Sequence, residues 1–441
     1  MIFKPQRKLQ VIRNLSNGQA LTMGILAQNT QSTFFQYDSG YLSLNLPISP
    51  FHLTQDAALQ KAPRNPHLGL HGVFADALPD GWGLLLQDRV FRQHSILPAL
   101  VTQLDRLAFV GDSAMGALSF APVSEYNVKT QDEISLEALG LQAQAVFDGQ
   151  TDEILAALVA AGSSGGARPK AQLYFPGGKN GICQSQPRSP SNFLTCRTQP
   201  QAHDQAWLVK FTSQNLTLGH EEGVCEAAYL MLADKAELNP PHWQLLNAPK
   251  KSGATYWLAL KRFDRVNIAD GTLGRIHMHS ACGLLDADFR SPSLDYEDLI
   301  KASRILCQSP AMGRVQFQRG IFNLFACNQD DHSKNWSFLQ DDQGRWTPAP
   351  FYDVTFSPHP FGEHACSFAG FGQSPSLKAM QRLASAAGYG HWRQAQQDIR
   401  RILDSIGCFA DIAANLDINA QTIRLIQSRL DESYQANKVL L

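Results

Sequence analysis

The apolar residues change their spacing along the chain, and that change constrains the fold more than any other feature. Up to about residue 50 they fall in short runs. VIRNL, LTMGILA, STFFQY and GYLSLNL, separated by Ser, Asn, Gly and Asp turn signals, predict strands. From about residue 294 to the end, helical spacing dominates, apart from 328–375. Between these regions AQLYF, WLVKF (207–211) and YWLALKRF (256–263) predict strands. Val224, Ala227, Ala228, Met231 and Leu232 share one face of a helix predicted over 219–236. The expected class is α+β, with a β-rich N-terminal part over 1–125, a mixed part over 126–266 and a mostly helical part over 267–441.

Local signals refine this division. Phe74 to about His94 predicts helix, interrupted early by Pro79, Gly81 and Gly83. Gly111-Asp112-Ser113-Ala114-Met115-Gly116 predicts a turn leading into the strand ALSFAPV. Residues 151–161 predict a short helix with Thr151 or Asp152 as N-cap. Residues 176–205, rich in Gly, Ser, Pro and Gln, predict a loop or insertion. No repeat at a solenoid period is found.

Charge and composition exclude several classes. In 441 residues, 38 basic and 39 acidic side chains leave a net charge of −1. A chain that wraps nucleic acid by bulk charge is normally strongly basic. Apolar residues make up 44% and charged residues 17%, a globular composition. The N-terminus has no apolar signal-peptide core, and the longest apolar stretch, Ile154–Ala161, is too short to span a bilayer. The eight cysteines include no C-x-x-C and predict reduced thiols, so the expectation is a cytoplasmic protein with no membrane contact.

The chemistry concentrates in Asn328-Gln329-Asp330-Asp331-His332-Ser333-Lys334-Asn335, between an apolar helix end (GIFNLFAC) and an apolar strand start (WSFL). Asp330 and Asn335 are five apart. A kinase catalytic loop has that separation between the Asp that accepts the substrate hydroxyl proton and the Asn that holds magnesium. An amide oxygen is a hard ligand suited to Mg²⁺. Asp353, in PFYDV, suits a second metal ligand. Lys210, inside an apolar strand, suits an anion, and Glu226 on the following helix suits a partner for it. Ser163-Ser164-Gly165-Gly166 offers backbone N–H groups free of bulky side chains for a phosphate. Taken singly each has a bland explanation: a solvated turn, an edge-strand lysine, a helix cap. Taken together their order along the chain is that of a phosphotransferase, with ATP and Mg²⁺ as cofactors.

Most of the chain also resembles the HipA family of bacterial toxin kinases. The resemblance runs through FFQYDSGYLSLNLPIS, FADALPDGWG and Gly111–Phe120 in the N-terminal part. In the kinase core it runs through SSGGARPKA, WLVKF, the helix around Glu226, ALKRFDR, NQDDHSKNWSF and PFYDV. It implies an N-terminal subdomain over 1–125, a kinase N-lobe over 126–266 and a helical C-lobe over 267–441, the last two forming a bilobal protein-kinase-like core. It also implies roles. Asp330 would be the base; Asn335 and Asp353 would hold Mg²⁺. Lys210 would hold the ATP phosphates beneath a loop of Ser164, Gly165, Gly166, Ala167, Arg168 and Lys170. The backbone of Leu260, Lys261 and Arg262 would face adenine, and His332, Lys334 and Tyr352 would line the site.

Family members phosphorylate serine or threonine in proteins, aminoacyl-tRNA synthetases among them. A small helix-turn-helix antitoxin neutralises them and supplies most of the DNA contact. The sequence departs from the best-known members in three places. Their autophosphorylated serine, just before the first glycine of the phosphate loop, is replaced by Gly165, which leaves Ser163 or Ser164 as candidate hydroxyls. The hinge acidic residue of some members is Lys261. After RFDR, an acidic-plus-Gln motif is replaced by His277-Met278-His279-Ser280-Ala281-Cys282-Gly283. His277, His279 and Cys282, like His359, His364 and Cys366, lack a fourth zinc ligand at typical spacing and suit structural roles. The competing functions are a small-molecule kinase and a catalytically silent ATP-binding regulatory subunit.

Overall fold

The computed structural model of the chain describes residues 3–127, 133–154, 156–162, 165–177, 188–189 and 195–441. Ser163 and Ser164, the candidate phosphorylation sites, lie outside the described residues.

An antiparallel sheet opens the chain, with strands in the order Gln60–Lys61, Thr33–Tyr37, Ala20–Gln28, Lys8–Asn14 and Leu118–Ala121. Period-two burial builds it: Leu9, Val11 and Arg13 all turn inward from the first strand. GYLSLNL, expected as a strand, instead starts with the helical turn Ser39–Leu42. The Asp38 carboxylate accepts from the N–H groups of Gly40 (2.8 Å) and Tyr41 (3.3 Å), and this cap outweighs the strand-like alternation. The short helix expected over 151–161 spans Ala156–Ala160. Neither Thr151 nor Asp152 is its N-cap, because the helix begins later, at Ala156, and the Thr151 hydroxyl accepts from Glu153 N (3.1 Å) in a separate local turn.

The second sheet has the order Lys170–Phe175, Gln205–Lys210, Tyr256–Lys261, Trp243–Asn247 and Arg188–Ser189, antiparallel except for its last pair. Lys210 therefore stands on an inner strand, not an edge. The helix Glu222–Lys235 packs against the strands Tyr256–Lys261 and Trp243–Asn247. Its far side, with Ala228, Tyr229 and Leu232, enters the same core as Phe317, Ile321, Phe322, Ile399 and Phe409 of the C-terminal helices. One buried side chain, Tyr229, ties the lobes by donating to Ala326 O at 2.8 Å. Among the described residues, no helix is long and apolar enough to cross a membrane.

Among the contacts that hold the N-terminal sheet region against the rest are two buried seams of described residues. At the first, the RFDR run grips the Gly111–Gly116 turn. Asp264 accepts from Gly116 N (2.6 Å) while Arg265 donates to Gly116 O and Ala114 O, both at 2.9 Å. At the second, the helix Gly72–Ala75 meets the turn Ala281–Leu284 so closely that a Cβ on Gly72 would lie 2.0 Å from Gly283 O. Asp76 accepts from Ser280 N (2.7 Å) and Ser280 Oγ (2.6 Å) and pairs with His279 Nδ1 (2.6 Å). His277 Nε2 meets Ile48 O at 3.0 Å. The two histidines are thus fasteners between parts of the chain. Among the described residues, no group of three or more His, Cys, Asp or Glu side chains is arranged to hold a metal.

Candidate active site

The cleft between the second sheet and the C-terminal helices has a volume of about 230 Å³. Every described residue assigned a site role from the sequence lines it. Gly165, Gly166, Ala167, Arg168 and Lys170 form one wall. Lys210 and Glu226 stand at the back, with Leu260, Lys261 and Arg262 at one end. Asp330, His332, Lys334, Asn335, Tyr352 and Asp353 form the opposite wall.

Inner-strand position fixes Lys210, and the next helix brings Glu226 to it. The ammonium donates to both Glu226 oxygens, at 2.6 and 2.8 Å, and to Asp353 Oδ1 as well. Burial works against the Lys210 charge, but Asp353 and Glu226 outweigh it and raise its pKa. Burial also opposes ionisation of Asp353. Lys210 and Lys170 overcome that and hold its carboxyl well below the usual range. Asp353 has a positive φ of 51°, uncommon for a residue with a side chain, and this turn aims the carboxylate at Lys210.

The loop after Cys327 splits its two aspartates between tasks. Asp331 is buried and accepts from Tyr296 Oη (2.7 Å) and Cys366 N (3.1 Å), with His364 Nδ1 at 3.0 Å. It anchors the loop, and in doing so it uses His364 and Cys366 structurally. Asp330 turns the other way, into the cleft. Its carboxylate stays open to water, with 64% of the side chain exposed, and His332 Nε2 lies 3.7 Å from it. Asn335 donates from Nδ2 to Asp330 O at 2.7 Å, which leaves its side-chain oxygen as the group to meet a cation. Asn335 and ionised Asp353 are hard oxygen donors and fit Mg²⁺, whose remaining ligands would be phosphate oxygens and water.

Other side chains are already committed. The Tyr352 hydroxyl donates to Lys334 O (2.7 Å) and meets Ser337 Oγ (2.6 Å). Arg262 is locked to Asp264, at 3.0 and 2.7 Å. The Lys261 and Arg262 N–H groups go to His242 O (2.8 Å) and Ala206 O (2.9 Å). The 260–262 span therefore meets the cleft with carbonyls and side chains. Arg168 pairs with Glu222 at 2.9 Å.

Sequence reasoning missed Asp80. It lines the cleft from the N-terminal part and accepts from Lys334 Nζ at 2.6 Å and from Gly166 N. The one local hint is an acidic residue beside a glycine at a helix start. Nothing in its neighbourhood signals a loop more than 80 positions away.

Residues 162–414 match the family model described as the HipA-like C-terminal domain, and residues 18–121 match the HipA N-terminal domain. The Sinorhizobium fredii (strain NBRC 101917 / NGR234) protein named "Putative kinase Y4mE" is 33% identical over 114 residues, which make up 24% of this chain. The match covers 26% of that relative's own length. A solved structure of the Shewanella oneidensis MR-1 toxin-antitoxin system HipA, HipB and its operator DNA complex aligns over 98% of this chain and 99% of its own. The identity is 16% and the TM-score 0.66, a likeness of fold. The fold expected from the sequence, α+β with a kinase-like core, is the one observed.

Proposed function

The chain belongs to the HipA family, and from its cleft we infer that it is an ATP-dependent kinase acting on serine or threonine of a protein. One observation carries this reading. A strand lysine held by a helix glutamate, a loop Asp with an Asn five residues on, and a second, ionised Asp converge on a single cleft.

In this reading Asp330 accepts the proton of the acceptor hydroxyl as its oxygen attacks the γ-phosphorus in line. The bond to the bridging oxygen breaks and ADP leaves. Lys210 orients the phosphates, kept in place by Glu226. Asn335 and Asp353 would hold Mg²⁺, which would supply positive charge to offset that of the nucleotide. Lys334 and Arg168 supply further positive charge, and the packed residues around Leu260 receive the base. Asp330 is the cleft carboxylate most open to an incoming hydroxyl, with 64% of its side chain exposed.

The family suggests a toxin of a toxin-antitoxin pair, with a helix-turn-helix antitoxin as partner and DNA reached mainly through it. The HipB and operator DNA in the similar solved complex support that suggestion. An aminoacyl-tRNA synthetase as target, and the division at 125 and 266, rest on the family resemblance.

Incubation with labelled ATP and a cell lysate tests the activity. A labelled protein band is expected. A labelled metabolite would make the chain a small-molecule kinase, and no transfer would leave a silent nucleotide-binding subunit.

A further inference from the structure

The turn Leu78-Pro79-Asp80-Gly81-Trp82 belongs to the N-terminal part, yet it is woven into the phosphate loop. Asp80 Oδ1 accepts from Gly166 N, and Trp82 N donates back to Gly166 O at 3.1 Å. The same residue of the loop is thus held through both of its peptide groups. The Trp82 indole, 1% exposed, donates to Lys170 O at 2.9 Å where the loop becomes a strand. The second oxygen of Asp80 takes Lys334 Nζ at 2.6 Å.

The two backbones also touch. Gly81 has a φ of +38°, and a Cβ there would lie 2.7 Å from Ala167 Cα and 2.8 Å from Gly166 O. A Cβ on Gly165 would lie 3.1 Å from Asp80 Oδ2. Any side chain at 81 would push the turn off the loop. Asp80 stands at the N-cap of the helix Gly81–Gln93, where an Asp normally accepts from the helix's own first N–H groups. It makes no such bond. Its carboxylate, nearly buried, is spent on the phosphate loop and the catalytic loop instead.

We propose that Asp80 is a positioning residue of the nucleotide site: with the Gly81–Trp82 turn it sets the phosphate loop at Gly166 and aims Lys334, so that phosphates are recognised only when the N-terminal part is docked. This rests on the kinase reading above. A carboxylate beside an amide and an ammonium could instead be a placeholder that phosphate displaces. The Trp82 contacts and the close approach of Gly81 argue for a scaffold, since neither involves a group that a phosphate would replace.

The test is calorimetry on the full chain with Mg-ATP and with adenosine, which lacks phosphates. The proteins are wild type, Asp80→Asn and Gly81→Ala, each checked for an unchanged melting profile. Asp80→Asn keeps shape and volume but loses the charge that holds Lys334. Its ATP affinity should fall roughly 10- to 100-fold, the scale of a lost charge-assisted hydrogen bond, with adenosine affinity unchanged. Gly81→Ala leaves every ionisable group in place and should show the same split. In turnover, the loss should appear in KM for ATP more than in kcat. Equal ATP affinity in both variants and wild type overturns the inference. Tighter ATP binding by Asp80→Asn also overturns it, in favour of the placeholder. A wild type that binds adenosine but gains nothing from the phosphates overturns the kinase reading itself, and this inference with it.

Discussion

Lys210 donates to both carboxylate oxygens of Glu226, at 2.6 and 2.8 Å, and the same ammonium also meets Asp353. A buried cation shared by two anions has its position set by both. Glu226→Gln keeps the shape and one acceptor but removes one of the charges. Lys210 should then lean to Asp353 and away from the phosphates. Single-turnover transfer by the folded variant should fall roughly 10- to 100-fold, the worth of one charge-assisted bond, and the melting temperature should fall too, because one member of a buried pair is neutralised. An unaltered rate would show that Asp353 alone positions the lysine.

Asp330→Asn should leave ATP affinity within about twofold of wild type and cut phosphate transfer by roughly 10²- to 10⁴-fold, the usual range for a general base. Asp331 gives an internal contrast. It is buried in bonds to Tyr296, His364 and Cys366 N. Asp331→Asn should therefore lower stability first and activity only as a consequence. Urea unfolding and transfer assays on both variants check the division. Near-normal transfer by Asp330→Asn would return the base role to another group.

Asp353 faces a cation in this structure, the Lys210 ammonium, and stays ionised because of its cationic neighbours. Asp353→Ala should abolish the gain in ATP affinity on adding Mg²⁺ while leaving Mg-free binding nearly intact. Calorimetry with and without the metal reads this directly. A variant that still responds fully to Mg²⁺ would assign the metal elsewhere.

The core of this site was legible because its parts obey local rules. Lys210 stands out in an apolar strand, Glu226 lies on a helix with clear periodicity, and the Asp330–Asn335 spacing is a chemical signature. Asp80 was illegible for a physical reason. Its role depends on where the N-terminal part docks, and that docking depends on backbone contacts such as Gly72 on Gly283. GYLSLNL failed differently: its alternating apolar residues suit a strand, and only the Asp38 cap decides for a helical turn. RFDR was recognised as a motif, but its task was not. Arg262 and Arg265 hold the Gly111–Gly116 turn, although Arg262 also lines the end of the cleft.

That seam makes its own prediction. Asp264 is fully buried between Arg262 and Arg265. Burial opposes its charge, but the two arginines hold its carboxyl well below the usual range. Asp264→Asn leaves two buried guanidinium groups facing a neutral amide. The loss should be about 3–5 kcal/mol, as for breaking other buried pairs. Because the folded carboxyl is depressed, its contribution is fully present above the ordinary value of 3.8 and fades as pH falls below it. The deficit of the variant should be constant at neutral pH and shrink in acid. A deficit under about 1 kcal/mol at pH 7 would show that the seam does not depend on the charge.

His71 sets the last test, at the other seam. It precedes the helix Gly72–Ala75, its Nδ1 is buried without a partner, and burial lowers its pKa from 6.5 to about 4. Asp286 favours the charged ring and His52 opposes it, and neither reverses the effect of burial. The unfolded chain takes up this proton first as pH falls. Stability is therefore lost between pH 6.5 and 4 and is unaffected above 7. The full difference amounts to about 3 kcal/mol. His71→Gln removes the titration but keeps a polar side chain. Urea unfolding of wild type and variant should give a gap that is flat above pH 7 and moves by about 3 kcal/mol in favour of the variant by pH 4. A gap independent of pH would mean that the ring is charged, or already hydrated, in the folded protein.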